Sequence, residues 1–86
     1  MPRICEFNGI VIVMYRREND PPHFHAIYGE YQALVGIDPI RVIKGRLPGR
    51  VRAVVLARAE SHQDELSANW RRGQQRESFV RIAPPR

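Results

Sequence analysis

The first half of the chain alternates short apolar runs with turn residues, as expected for a sheet of short strands. Largely apolar runs at residues 4–7 and 10–15 flank Asn8-Gly9. Both turn residues tolerate positive φ, so this pattern predicts a two-residue hairpin. The second run is apolar at every position, which is typical of a central strand covered on both faces. Pro21-Pro22 then turns the chain.

A second hairpin is predicted where Gly29-Glu30 joins residues 23–28 to residues 31–37. A two-residue loop fixes the register, since each strand residue then has a defined partner. The predicted pairs on one face, all apolar or aromatic, are Phe24 with Val35, Ala26 with Ala33, and Tyr28 with Tyr31. The opposite face carries His23, His25, Ile27, Gln32 and Leu34. The first of these faces is therefore the one that can cover a core.

From Pro48 onward the spacing of the apolar positions changes to steps of three and four residues. The positions that recur at this spacing are Val51, Val55, Ala59, His62, Leu66 and Trp70. They form one stripe of an amphipathic helix, which we place at about residues 48–72, with Pro48 in its first turn. Ser61, with Asp64 three positions later, resembles a capping box, which can start a new helix. A kink in this helix is therefore expected near Ser61.

These elements predict an α+β fold. An antiparallel β-meander of about five strands, at about residues 3–44, packs on one long helix at about residues 48–72. A tail at residues 73–86 follows, in which residues 79–82 suit a short final strand. Because 86 residues have room for one hydrophobic core, the whole chain, 1–86, is predicted to be a single domain. A core this small gives limited stability, so a homodimer is also considered.

The composition is that of an ordinary globular protein, with 43% hydrophobic and 27% charged residues. One cysteine cannot form an internal disulfide, and no apolar run reaches the ~18 residues of a membrane span. We therefore expect a cytoplasmic protein without membrane contact. The net charge of +5 would favour a polyanion. Because the arginines are spread along the chain, the sequence permits nucleic acid as a partner without indicating it.

The strongest local feature is a run of six residues from Pro21 to Ala26 that contains His23 and His25. Two histidines at i and i+2 on a strand point to the same side, about 7 Å apart at Cα, and can chelate a divalent transition metal such as zinc or nickel. The candidates for a further ligand are His62, Glu30, Cys5 and Asp20. The helix stripe with His62 is expected on the opposite face of the hairpin. The alternative interpretation is that both histidines are half-buried strand residues with backbone or carboxylate partners.

The same pair also suits acid–base catalysis. His23, His25 and Glu30 are candidate catalytic residues, because imidazole and carboxylate groups can act as base and acid in RNA cleavage. Arg16 and Arg17 would supply cations for a phosphate. The sequence contains no phosphate-binding glycine loop, no paired-cysteine zinc motif and no nucleophile elbow. No catalytic set is complete, so the sequence leaves open whether the protein is an enzyme.

Four runs of residues together match a known pattern. They are Phe7-x-Gly9-Ile10-x-Ile12, Pro21-Pro22-His23-Phe24-His25-Ala26-x-Tyr28, Gly45-x-Leu47-Pro48 and Ala59-x-x-His62-x-x-Glu65-Leu66-x-x-Asn69-Trp70. In these runs the chain resembles the bacterial domain-of-unknown-function family numbered four thousand one hundred and sixty, over nearly its whole length. The resemblance implies a protein partner encoded by a neighbouring gene, in an arrangement that looks like a toxin–antitoxin pair. It makes His62, Glu65 and Trp70 candidate partner-binding residues, although Trp70 also suits a core position.

Two hypotheses about function follow from the sequence. The first is a small binding module that pairs with a partner protein, as one component of a toxin–antitoxin system. The second is a small ribonuclease-like or metal-dependent enzyme that uses His23 and His25. Metal binding by the histidine pair would favour the second hypothesis or a metal-dependent switch.

Overall fold

The computed structural model describes residues 2–84, which form a five-stranded sheet followed by two helices. The strands are β1 (Arg3–Phe7), β2 (Ile10–Val13), β3 (His23–Tyr28), β4 (Tyr31–Ile37) and β5 (Ile40–Arg46), and the helices are α1 (Gly49–Ser61) and α2 (Gln63–Gln74). Each strand pairs antiparallel with the next, in chain order. The predicted α+β meander is confirmed. Positions 1, 85 and 86, into which the predicted domain 1–86 and tail 73–86 extend, lie outside the described residues.

The register of the β3–β4 hairpin is the predicted one, and it gives the sheet two different faces. The residues of the core face are buried against side chains of both helices. The sheet residues of this core include Ile12, Phe24, Ala26, Ala33 and Val35. The helix residues that pack with them include Val55, Ala59 and Leu66. The outer face carries Val11, Ile27 and Leu34, which stay half-buried. Because side chains alternate along a strand, His23 and His25 belong to the outer face, as predicted.

The predicted helix is divided into α1 and α2 by a break at His62, next to the kink predicted near Ser61. His62 has φ −124° and ψ 25°, which are not helical values. Just before it, the Ser61 hydroxyl donates to the Ala57 carbonyl oxygen at 3.2 Å, a type of bond that often bends helices. The break directs α2 to the end of β4, where the Gln63 amide donates to the Ile37 carbonyl oxygen at 2.8 Å. The second helix therefore packs against one end of the sheet.

The segment after α2 lies beside β1 without forming a strand. No regular element is present between residues 77 and 84, so the predicted short strand at 79–82 is not formed in the described chain. A single sheet-type bond joins the tail to β1, from the Ile82 N–H to the Ile4 carbonyl oxygen at 2.9 Å. The Asn69 side chain instead bonds both the N–H and the carbonyl oxygen of Val80, each at 2.8 Å. A helix side chain thus takes the place of a strand partner.

Strand β5 continues to Arg46, beyond the predicted end of the sheet at about residue 44, because Gly45 adopts a conformation that other residues disfavour. Its φ is +80°, and a Cβ at this position would overlap the carbonyl oxygen of Gln32 on β4. We expect Gly45→Ala to lower the free energy of unfolding by about 1–3 kcal/mol, measured by urea denaturation. Gly49→Ala is the matched control, because the space around Gly49 is open; its effect should stay within about 0.5 kcal/mol. Equal urea midpoints for the two variants would contradict this role for Gly45.

Candidate metal site

His23 and His25 meet Glu18, from the loop between β2 and β3, at one corner of the sheet. One ligand-type atom from each residue lies within 4.8 Å of the other two. The same Glu18 oxygen, Oε1, is 2.9 Å from Nε2 of His25 and 3.3 Å from Nε2 of His23. We call this group the Glu18–His23–His25 cluster.

His25 is hydrogen-bonded at both ring nitrogens, in a pattern that suits a neutral imidazole. Its Nε2–H donates to Glu18 at 2.9 Å, and the Gln32 amide donates to its Nδ1 at 3.4 Å. The Tyr15 ring packs edge-on against it, with 4.8 Å between ring centroids. These contacts fix the position of the His25 ring, so its Nε2 atom is held towards Glu18. To ligate a metal ion through Nε2, the ring would carry its proton on Nδ1 instead, with the Gln32 amide turned so that its oxygen accepts.

His23 has one satisfied and one unsatisfied ring nitrogen. Its Nδ1–H donates to the Pro21 carbonyl oxygen at 2.8 Å, so in the neutral ring the lone pair is on Nε2. Nε2 is buried and has no hydrogen-bond partner within residues 2–84. It faces Glu18 Oε1 at 3.3 Å, and this atom is also an acceptor. Two acceptors at this distance repel each other unless a proton or a metal ion lies between them.

Helix α2 holds the cluster in place from one side. The Trp70 indole lies against His23, with 5.0 Å between ring centroids. The Gln74 amide donates to the backbone carbonyl oxygen of Glu18 at 3.0 Å, which attaches the loop to the helix. The Glu18 side chain is 29% exposed whereas the side chains of His23 and His25 are 6% and 11% exposed, so the cluster is open to solvent on the Glu18 side.

The segment that builds this cluster lies within a match to a protein family. The family model described as "Domain of unknown function (DUF4160)" matches residues 9–71, more than half of the chain. The chain belongs to this family. The match confirms the resemblance seen in the sequence, and it includes the DUF4160 residues Glu18, His23, His25 and Trp70. Comparisons with curated proteins and with solved structures gave no significant match.

The ligand types of this DUF4160 cluster, and the two separations from Glu18, suit a transition-metal ion. Metal–ligand bonds of about 2.0–2.2 Å place two ligand atoms on one ion about 3.0–3.5 Å apart, and the two separations from Glu18 Oε1 are 2.9 and 3.3 Å. The bond from His23 Nδ1–H to a backbone carbonyl is one that metal-bound histidines usually make. Two imidazoles and one carboxylate are also the protein ligands of some zinc hydrolases and of non-haem iron sites. Three protein ligands leave coordination positions free for water.

The further ligands suggested by the sequence lie elsewhere in the DUF4160 chain. Glu30 is exposed in the turn at the opposite end of the β3–β4 hairpin, and Asp20 is exposed in the loop. Cys5 and His62 both line a small cavity beside the core face. The third potential metal ligand beside His23 and His25 is Glu18 and none of these four residues. Sequence reasoning missed it because it is one acid within a polar loop, and only the fold of that loop returns it to the strand.

The three candidate partner-binding residues do not share one surface environment. Trp70 is buried, with 7% of its surface exposed. Glu65 is exposed, and its carboxylate accepts a hydrogen bond from the half-buried His62 ring. The arginines considered for phosphate binding, Arg16 and Arg17, are exposed beside Glu18 in the loop. Within residues 2–84, neither helix has the length and apolar character needed to cross a membrane.

Proposed function

We propose that this DUF4160 protein binds a divalent transition-metal ion, zinc or nickel, at the Glu18–His23–His25 cluster. The observation that supports this most strongly is the buried Nε2 of His23, an acceptor that faces the Glu18 carboxylate and has no donor among residues 2–84. Leaving such a group unsatisfied costs about 1–3 kcal/mol. A cation bound by both groups turns this repulsive contact into two favourable bonds.

The ligand types indicate which ions would bind. Imidazole nitrogen favours zinc, nickel, copper and iron, whereas magnesium and calcium prefer sites made only of oxygen atoms. The cluster offers two imidazoles and one carboxylate. Zinc and nickel are therefore expected to bind more tightly than magnesium.

The test is a titration of tag-free protein, because a polyhistidine tag would bind the same ions. Protein stripped with a chelator is titrated with zinc or nickel chloride in a calorimeter, and bound metal is counted by elemental analysis. We expect one ion per chain. His62→Ala is a matched control, because it removes a histidine that also bonds a glutamate but lies outside the cluster; it should bind as the unchanged protein does. Failure to bind one ion per chain, or equal weakening by His62→Ala, would overturn the proposal.

An enzymatic form of this proposal is a metal-dependent hydrolase. A bound ion would lower the pKa of a coordinated water, which makes hydroxide available near neutral pH. The metal-free alternative is a ribonuclease-like enzyme in which His23 or His25 acts as acid or base. RNA cleavage that survives a chelator would favour the metal-free form, and cleavage restored only by added zinc or nickel would favour the hydrolase.

A second candidate function is pairing with a partner protein from a neighbouring gene, as one component of a toxin–antitoxin system in the cytoplasm. The observation that favours it is the outer face of the sheet, where Val11, Ile27 and Leu34 are half-buried, whereas side chains of both helices pack with the core face. Such an apolar surface suits a protein partner. The test is co-purification with the neighbouring gene's product. Charge introduced by Ile27→Glu should reduce the recovery of the complex, and equal recovery would argue against this surface.

A further inference from the structure

Strand β5 is an edge of the sheet whose outward backbone groups have no strand beside them. It pairs only with β4, and within residues 2–84 no backbone hydrogen bond outside the sheet ladder involves it. The other edge, β1, differs, because the tail lies beside it and bonds to it through Ile82. An edge with free N–H and C=O groups is a template for another strand.

The positive charge of the chain is concentrated around this edge. Residues 39–57 contain five of the 14 cationic residues and none of the nine acidic ones. The five are Arg41, Lys44, Arg46, Arg50 and Arg52. The first turn of α1, which follows β5 directly, contains no acidic residue, so the positive end of its dipole adds to the same charge.

The side chains of β5 are sorted between its two faces. Arg41, Lys44 and Arg46 pair with residues of β4 that lie on the outer face, so all three cations belong to that face. Ile40 and Val42 belong to the core face and are only partly buried at the margin of the core. The register shifts at a bulge between Val42 and Lys44, and the extra residue there, Ile43, lies beside Gly36 on the outer face. A strand added beside β5 would therefore meet the three cations and Ile43 on one face, and Ile40 and Val42 on the other.

From this arrangement we propose that β5 binds an extended acidic segment of a partner protein as a sixth strand. In this segment acidic residues alternate with apolar ones, with the acids beside the cations of β5 and the apolar residues extending the core. The inference rests on the second candidate function and is independent of metal binding. A second copy of this chain is disfavoured as the occupant, because antiparallel pairing of two β5 strands would bring their cations together.

The probe is a fluorescent peptide of about eight residues in which Glu and Val alternate, with binding followed by anisotropy. We expect saturable binding and slower amide hydrogen exchange in β5. Lys44→Glu with Arg46→Glu should raise the Kd by at least about tenfold, since each cross-strand charge pair then becomes repulsive. The matched control is Arg71→Glu with Arg81→Glu, which changes the net charge equally at exposed positions outside β5; it should change the Kd by less than about threefold.

A second peptide with the same sequence, N-methylated at alternate residues, separates strand addition from charge attraction. It keeps every carboxylate but cannot pair along one backbone edge, so we expect no saturable binding. Equal binding of both peptides, equal effects of the two charge-reversal variants, or tighter binding of a single-stranded RNA of equal length would overturn the inference. The inference would also be overturned if the free protein self-associates and the Lys44→Glu, Arg46→Glu variant changes that self-association.

The neighbouring gene's product, tested against the same variants, separates this inference from the partner proposal. If that product binds the β5 variant and the unchanged protein equally, the strand-addition site is wrong while pairing stands. If it binds neither and the acidic peptide still binds β5, pairing with that product fails while β5 keeps its role as a strand-binding edge.

Discussion

Replacing Glu18 by glutamine is expected to weaken zinc binding by more than about 100-fold while the protein stays folded. Loss of an outer hydrogen-bond partner of a metal ligand costs roughly 10–100-fold in affinity, and Glu18 is placed as a ligand itself. The amide keeps the size of the side chain but loses its charge. Its amide oxygen can still accept the hydrogen bond from His25 Nε2–H. We therefore expect the free energy of unfolding of the metal-free variant to change by less than about 1 kcal/mol.

This pair of readouts separates a metal site from a structural hydrogen-bond network. The double variant His23→Ala, His25→Ala sets the scale of full loss in the same calorimetric titration. If Glu18→Gln binds zinc as tightly as the unchanged protein, Glu18 is not a ligand. If the variant unfolds at a much lower urea concentration without metal, the Glu18 carboxylate has a mainly structural role, as bonding partner of His25.

Replacing Trp70 by alanine is expected to lower the free energy of unfolding by about 3–5 kcal/mol, which is typical for removing a buried aromatic side chain. Trp70 is 7% exposed and belongs to the core cluster, and its ring also packs on His23. A domain of 86 residues has about 4–13 kcal/mol in total at ordinary stabilities per residue. The loss is therefore a large share of the total, so the variant should unfold at a clearly lower urea concentration and temperature than the unchanged protein, as measured by urea denaturation and circular dichroism.

Trp70→Phe is the matched control, since it keeps an aromatic ring at the same position. It should lose only about 1–2 kcal/mol and keep its zinc affinity within about tenfold. A Trp70→Ala variant as stable as the unchanged protein, but unable to bind a partner, would contradict the core role. In that case the residue would belong with the partner-binding residues implied by the family resemblance.

The sheet could be predicted because its signals are local. Asn8-Gly9 and Gly29-Glu30 each specify a short turn, and the second turn fixes every pair of the β3–β4 hairpin. The break at His62 lies next to the kink predicted near Ser61, although the apolar stripe continues through it without a change of period. The sheet was predicted to end at about residue 44 because Gly45 looks like a loop residue in sequence, although β5 continues through it to Arg46.

The candidate site was predictable only in part, for a related reason. His23 and His25 lie two residues apart on one strand, so their common orientation is readable from the sequence. Glu18 reaches them because the loop is tied to α2 by Gln74, a residue 56 positions further along the chain. No local pattern encodes a contact of that separation. The cations near β5 can be counted from the sequence, but a strand-binding site there could not be predicted without knowing that β5 is an edge of the sheet.

The bond between Gln74 and the Glu18 loop also bears on the order of events during synthesis. Contacts between residues far apart in sequence form late, because the intervening chain must first be ordered. A nascent chain that has exposed both histidines still lacks the helix that positions the carboxylate and packs on the His23 ring. We expect metal capture to follow release of α2 from the ribosome, so the ion would bind the completed fold and would not nucleate it.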